Sequence, residues 1–115
     1  MQVKANLLNL IVFLGFSATV SVAQNSCTAV AYLGHTGNSC TNAELGDASQ
    51  NGAGFGACEL VTNAQCVLTE QSEGDCAIHL YSDTNCQTPI TGGNTIMCGE
   101  PSQNVDFTSF QIECA

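Results

Sequence analysis

The chain is 115 residues long and contains ten Asp and Glu residues but a single basic residue, Lys4, so its formal net charge at pH 7 is −9. Nucleic-acid binding and attraction to anionic lipids both depend on Lys and Arg side chains. The composition therefore excludes nucleic acids and anionic membranes as partners of the region that follows Lys4.

Residues 1–23 have the organisation of a secretory signal peptide. Lys4 supplies a positive charge, an apolar run covers 7–16, and the small residues Ser21 and Ala23 occupy the positions that signal peptidase inspects. The apolar run is about half of the ~20 residues needed to span a bilayer. The sequence thus predicts cleavage after Ala23 and a secreted domain over 24–115 that is not held in a membrane.

Eight cysteines are spread along this domain: Cys27, Cys40, Cys58, Cys66, Cys76, Cys86, Cys98 and Cys114. In an oxidising extracellular setting, an even number of spaced cysteines indicates a disulfide framework. Zinc sites instead favour cysteine pairs separated by two to four residues, and the shortest gap here, between Cys58 and Cys66, has seven. The sequence predicts four disulfides but does not choose among the 105 pairings that eight cysteines allow.

The predicted domain contains short segments rich in β-branched, aromatic or alternating apolar residues, bounded by Gly, Asn, Asp and Ser. Strands are predicted over 28–33, 57–62, 65–69, 77–82, 95–98 and 107–114. Ile78 and Leu80 show the two-residue alternation of a half-buried strand. One short helix is predicted to begin at Thr41, which forms a capping-box pattern with Glu44, and to end by Gly52.

The cysteines also suggest an internal duplication, with repeats over 27–68 and 76–114. Each repeat opens with a cysteine that is followed five residues later by a tyrosine, in the segments 27–32 and 76–81. A unit of about 40 residues is the length of one Greek key and cannot bury its own inner face. We therefore predict an all-β, disulfide-stapled sandwich of two Greek-key-like units, with coincidence among short strands as the alternative.

The second repeat resembles a known structural family. The segment 78–87, Ile-His-Leu-Tyr-Ser-Asp-Thr-Asn-Cys-Gln, is similar to the opening of a βγ-crystallin Greek key, with Cys86 in place of the second aromatic residue. The segment 106–112 is similar to the Ser-containing last strand of that motif. This resemblance implies a βγ-crystallin-like fold.

The chain as a whole is similar in kind to the small cysteine-rich proteins that plant-associated fungi secrete. Those proteins share a short leader, a small mature domain and an even number of cysteines. The resemblance implies an effector-type role in the extracellular fluid of a host and a contribution to virulence. It also implies a host protein or a cell-wall component as partner.

Calcium is the sharpest ligand hypothesis that the crystallin resemblance implies. Crystallin-type sites combine adjacent Asn or Asp residues with Thr and Ser, and Asn104, Thr108 and Ser109 match part of that pattern, although Val105 removes one ligand. The alternative is that Thr108 and Ser109 form hydrogen bonds within the fold. We expect no resident cofactor, and keep calcium at Asn104, Thr108 and Ser109 as the alternative.

The residues favour a binding protein over an enzyme. His79 falls between the apolar residues Ile78 and Leu80, where a surface-facing or hydrogen-bonded histidine is the ordinary interpretation, and the other histidine is His35. Neither a nucleophile elbow nor a zinc-protease motif is present. We therefore expect that the protein is not an enzyme and has no catalytic residues; a small protease inhibitor or hydrolase is the second alternative to the binding role, after a calcium- or glycan-binding module.

Aromatic side chains and loops are the remaining recognition elements. The aromatic residues that could stack on a glycan are Tyr32, Phe55, Tyr81, Phe107 and Phe110. A domain of this size needs such residues in its core, whereas loops over 42–56 and 99–105 can present a recognition surface. We therefore expect a monomeric extracellular binding protein, with a calcium- or glycan-binding module of the cell wall as the alternative.

Overall fold

The structure is a computed structural model that describes residues 24–115, so the signal peptide predicted for 1–23 lies outside the described residues. The regular elements are strands: β1 (Ser26–Thr36), β2 (Ser39–Asn51), β3 (Gly54–Phe55), β4 (Glu59–Glu73), β5 (Cys76–Tyr81), β6 (Thr95–Met97) and β7 (Gln103–Cys114). No helix among residues 24–115 has the length and apolar character needed to cross a membrane. The predicted all-β fold class is confirmed.

The strands form one antiparallel sheet in the order β2-β1-β4-β7-β5-β6, with β3 also paired to β7. β4 lies between the β2-β1 pair and the β7-β5-β6 group, since Cys66 pairs with β1 on one side and with β7 on the other. Gly54 of β3 lies beside Cys114, and Glu59 of β4 lies beside Phe110. β3 and β4 therefore follow one another along the same edge of β7, and β5 occupies its other edge.

The helix predicted to begin at Thr41 is wrong, because this segment is the strand β2. The capping-box pattern with Glu44 specifies only a short helix, and such helices are marginal without tertiary support. Pairing with β1 supplies a hydrogen-bonded ladder, and the Cys40–Cys66 bridge ties β2 to β4. Asn42 adopts a left-handed φ of 67° where the register shifts. Much of the loop predicted over 42–56 is accordingly strand.

The strands predicted over 57–62 and 65–69 are parts of a single long strand, β4. The break between them is a bulge, at which Asn63 takes a φ of 69° and the register with β7 shifts. Asparagine is one of the few residues that adopts this left-handed conformation readily. The polar, turn-like sequence at Asn63 thus bends the strand without ending it.

The core follows the two-residue alternation that Ile78 and Leu80 predict. These residues lie beside Ile112 and Phe110 of β7, and all four side chains are buried. Each such side chain contributes about 1.5 to 3 kcal/mol of hydrophobic stabilisation. The same cluster extends into the other strands through Ala29, Ala31, Ala48, Val61, Val67 and Ile96.

All eight cysteines are paired, which confirms the predicted disulfide framework. The bridges are Cys27–Cys98, Cys40–Cys66, Cys58–Cys86 and Cys76–Cys114. Two of them lie within the predicted repeats and two join one repeat to the other. The strand pairing is a single folded sheet and does not confirm two Greek-key units, so the duplication stays a prediction.

Candidate functional site

The calcium hypothesis placed Asn104, Thr108 and Ser109 around one ion, but the strand does not bring them together. Residues four apart in a strand are separated by roughly 13 Å, and successive side chains point to opposite faces. The Asn104 amide donates a hydrogen bond to the Gly37 carbonyl. The Ser109 hydroxyl is buried and donates to the Asp83 carbonyl at 2.6 Å, which is the alternative that the sequence left open for this residue.

The two histidines lie in different settings. His35, near the end of β1, has its Nδ1 atom 3.2 Å from the Gly37 carbonyl. His79 lies in β5, where its Nε2 atom is 2.9 Å from Glu113 Oε1 and its Nδ1 atom is 3.4 Å from Thr95 Oγ1. His79 therefore belongs to a surface cluster on the sheet face opposite to Ile78.

Four of the five aromatic residues considered for stacking are wholly or partly buried. Phe107 and Phe110 lie in the core, with ring centroids 5.6 Å apart in an edge-to-face arrangement. Tyr81 is buried and donates to Gln111 Oε1 at 2.9 Å. Burial raises the pKa of the Tyr81 phenol, so the group remains a hydrogen-bond donor at neutral pH. Phe55, in contrast, is 55% exposed.

Phe55 lies on a solvent-facing surface that we call the outer face, formed by β3, β7, β5 and β6. Directly paired residues of neighbouring strands point to the same face of a sheet. One row of the outer face contains Phe55, Glu113, Ala77 and Met97, and the next contains Gln111, His79 and Thr95. The opposite face of the same strands is the hydrophobic core. The outer face is therefore supported from below by packed side chains.

The side chains of the outer face contact one another. The Phe55 ring lies 5.6 Å from the His79 ring at an interplanar angle of 38°, and His79 contacts Glu113. Gly56 holds the backbone after Phe55 close to β7 and β2, because its N–H donates to the Ile112 carbonyl at 2.7 Å and a side chain at this position would collide with the Ser49 carbonyl. The aromatic, imidazole and carboxylate groups thus lie against one another on this part of the sheet.

The hairpin over 82–89 borders the outer face and is held by two side chains. Ser109 accepts a hydrogen bond from the Cys86 N–H at 3.2 Å in addition to its contact with Asp83. The Asp83 carboxylate accepts hydrogen bonds from the N–H groups of Thr88 and Gln87, each at 3.1 Å. These bonds, that from Thr88 foremost, hold the pKa of Asp83 below its usual value.

We expect the charge of Asp83 to stabilise the fold in a pH-dependent way. Because its folded pKa is lowered, this contribution is complete above the ordinary value of 3.8 and is lost as pH falls through the folded value. In thermal melts, Asp83→Asn should therefore lose stability relative to the wild type at pH 6, and the gap should narrow below pH ~3.8. Asp47→Asn, an exposed carboxylate on β2, is the control. A gap that stays constant with pH would contradict this assignment.

A second surface feature is a cleft of 390 Å³ beside the bulge of β4. Ala64 and Phe107 form its buried floor. Its walls carry the hydrogen-bonding side chains of Asn63, Gln65, Ser82, Asp106 and Thr108. Amide, carboxylate and hydroxyl groups of this kind suit a ligand with several hydroxyls.

The sequence named Phe55 among the aromatic residues that could stack on a glycan, but it placed Phe55 in a loop and so did not indicate the outer face. β3 has only two residues, too few to show an alternating pattern, and it becomes a strand only through its pairing with β7. The alternation of β5 did indicate that His79 is surface-facing or hydrogen-bonded, and in the structure it contacts Glu113. Comparisons with protein-family models, curated proteins and solved structures gave no match to this chain.

Proposed function

We propose that this protein is secreted and acts by binding a component of its host outside the cell, as an effector-type protein of the kind that plant-associated fungi secrete. The proposal assigns it no catalytic step. The observation that carries it is the prearranged outer face, on which Phe55 is exposed and held against His79 above a bridged core. A rigid surface that is assembled before binding loses little conformational entropy in the complex.

The disulfides support the extracellular part of the proposal. Four bridges in a small domain are typical of extracellular proteins, because the cytosol keeps thiols reduced. The leader pattern over 1–23 points in the same direction.

Expression of the full chain in a eukaryotic secretion host tests export directly. We expect the culture medium to contain a protein that begins at Gln24, with an intact mass eight hydrogens below that of the reduced chain, since each of four bridges removes two. Recovery from the cells with residues 1–23 attached, or with titratable thiols, would refute the extracellular assignment.

Infiltration of the folded protein into a panel of plant genotypes tests the effector role. We expect a response in at least one genotype, and a weaker one to Phe55→Ser, because this change removes the exposed ring of the outer face. Leu33→Ser is the matched control, since it removes a 40% exposed apolar side chain from β1. Absence of a response in every genotype, or an equally weakened response to Phe55→Ser and Leu33→Ser, would count against the effector role.

A glycan-binding cell-wall module is the second candidate, favoured by the polar cleft beside the bulge of β4. Titration with chitin oligomers separates the two functions. Saturable binding that is lost in Gln65→Ala and retained in Phe55→Ser would assign the glycan-binding function to the cleft.

A further inference from the structure

The outer face combines apolar and acidic side chains in one row. Phe55, Glu113, Ala77 and Met97 lie side by side on β3, β7, β5 and β6. Neighbouring strands are ~4.8 Å apart, so this row spans roughly 14 Å. Asp75 lies two residues before Ala77 along the chain and lines, with Ala77, Met97 and Glu113, a cleft of 240 Å³.

The charge of the protein restricts what can cover this row. Residues 24–115 contain no Lys or Arg that could neutralise Asp75 or Glu113, and His79, which contacts Glu113, is charged only when protonated. A partner that covers these carboxylates without supplying positive charge leaves them desolvated, which costs binding free energy. A partner that presents cations is attracted over a distance by the ten carboxylates of residues 24–115 and pairs with those of the row on contact.

The shape and polarity of the row match a basic side chain. Arginine and lysine have an apolar stem and a charged head. Ala77 and Met97, the latter 44% exposed, offer apolar surface for the stem, and the two carboxylates of the cleft lie within the same site. The exposed Phe55 ring, beside Glu113 in the neighbouring strand, offers a π face to a second cation. Arginine suits such a site better than lysine because its planar head both pairs with carboxylates and stacks on rings.

Extending the proposed extracellular binding role, on which this inference rests, we propose that the outer face binds a basic segment of a partner protein. An arginine of that segment occupies the cleft between Asp75 and Glu113, with its stem against Met97. A second basic side chain lies on Phe55.

The chain contains its own control for this assignment. A cleft of 290 Å³ on the β1-β2-β4 side is lined by three carboxylates, those of Glu44, Asp47 and Glu70. Its apolar lining comes from Val30, which is buried, and from Leu45, which is half-buried, and it contains no methionine; the partly buried Tyr32 lies beside it, with its hydroxyl 3.4 Å from Glu44 Oε2. Its carboxylates lie at an exposed surface, where a single ion pair contributes little. Removing charge from this cleft therefore shows how much of a loss of binding comes from net charge and how much from the geometry of the outer face.

The test is an NMR titration of the isotopically labelled, disulfide-bonded protein with a peptide that carries two arginines in a Gly/Ser background. The same peptide with citrulline, which retains the shape of arginine without its charge, is the second probe. We expect saturable amide shifts that cluster on the outer face with the arginine peptide at up to about 5 mM, and none with the citrulline peptide. Shifts spread evenly over all acidic residues, or equal responses to both peptides, would overturn the proposal.

Paired charge variants make the test quantitative. Asp75→Asn/Glu113→Gln should weaken binding about tenfold, whereas Asp47→Asn/Glu70→Gln, which changes the net charge equally, should change it less than about twofold. The spectrum of each free variant shows whether its fold is intact. Equal weakening by the two pairs would refute a site at Asp75 and Glu113.

Failure of the basic-partner inference can be distinguished from failure of the proposed extracellular binding role. If the secreted, bridged protein elicits a host response but ignores arginine peptides, the inference about the partner is wrong and the extracellular binding role stands. If the protein is not exported or keeps free thiols, the binding role fails whatever the peptides do. Shifts induced on the outer face by chitin oligomers and not by the arginine peptide would assign this surface to a glycan and overturn the basic-partner proposal.

Discussion

Replacing Cys27 and Cys98 together by alanine should lower the free energy of unfolding by about 4 kcal/mol. This bridge joins residues 71 positions apart, the longest separation among the four, so its loss releases the most conformational freedom in the unfolded chain. It also ties the start of β1, the second strand in the order, to the segment after β6, the last strand. For a domain of this size the melting temperature should fall by roughly 15 to 30 °C.

Calorimetry and denaturant unfolding of the paired variants would measure this effect. The matched control is Cys40→Ala/Cys66→Ala, which opens a separation of only 26 residues and should cost about 1 kcal/mol less. If the Cys40→Ala/Cys66→Ala variant proved the less stable of the two, loop closure would not dominate the stabilisation by these bridges. Local packing around Cys66 would then be the larger contribution.

Ser109→Ala should lower the free energy of unfolding by about 2 kcal/mol and the melting temperature by roughly 10 °C. Ser109 is fully buried and serves two backbone groups at once, the Asp83 carbonyl and the Cys86 N–H. Alanine fills almost the same volume but leaves both groups without their partner.

The neighbouring Thr108→Ala variant is the control for Ser109→Ala. It also removes one hydroxyl from β7, but from a half-exposed side chain on the opposite face, so it should change stability by less than about 0.5 kcal/mol. Hydrogen exchange at the Cys86 amide gives a local readout, since protection there should fall only in Ser109→Ala. Equal effects of the two variants would mean that the hairpin is held by the Cys58–Cys86 bridge alone.

The strands β5 and β7 could be predicted from the sequence because the pattern that specifies them lies within each segment. Ile78 and Leu80 alternate with polar or small residues, and such alternation has meaning only in a strand with one buried face. The state of the cysteines was equally predictable, since their even number and wide spacing favour bridges over metal ligands.

The strand β2 could not be predicted, because its local and nonlocal preferences conflict. Thr41 and Glu44 carry a pattern that favours a helix start, and only the ladder with β1 and the Cys40–Cys66 bridge make the segment a strand. The pairing of the cysteines was inaccessible for the same reason, since it depends on how the whole sheet folds.

The outer face could not be predicted from the sequence either, although the sequence pattern indicated some of its strands. Its central row joins Phe55 to Glu113, residues from distant parts of the chain that meet only when β3 pairs with β7. The calcium hypothesis shows the opposite difficulty: Asn104, Thr108 and Ser109 are close in sequence, but an extended strand spreads their side chains over two faces and several residue lengths.

The Cys76–Cys114 bridge joins two residues that are already direct partners in the β5-β7 ladder, with Cα atoms 4.0 Å apart. A covalent tie between ladder partners prevents either strand from sliding by one position, a slip that would exchange the inward and outward rows. Substitutions on the solvent side therefore cannot change the alignment that displays them. The exposed side chains of β5 and β7 can therefore be exchanged while the alignment of the two strands stays the same.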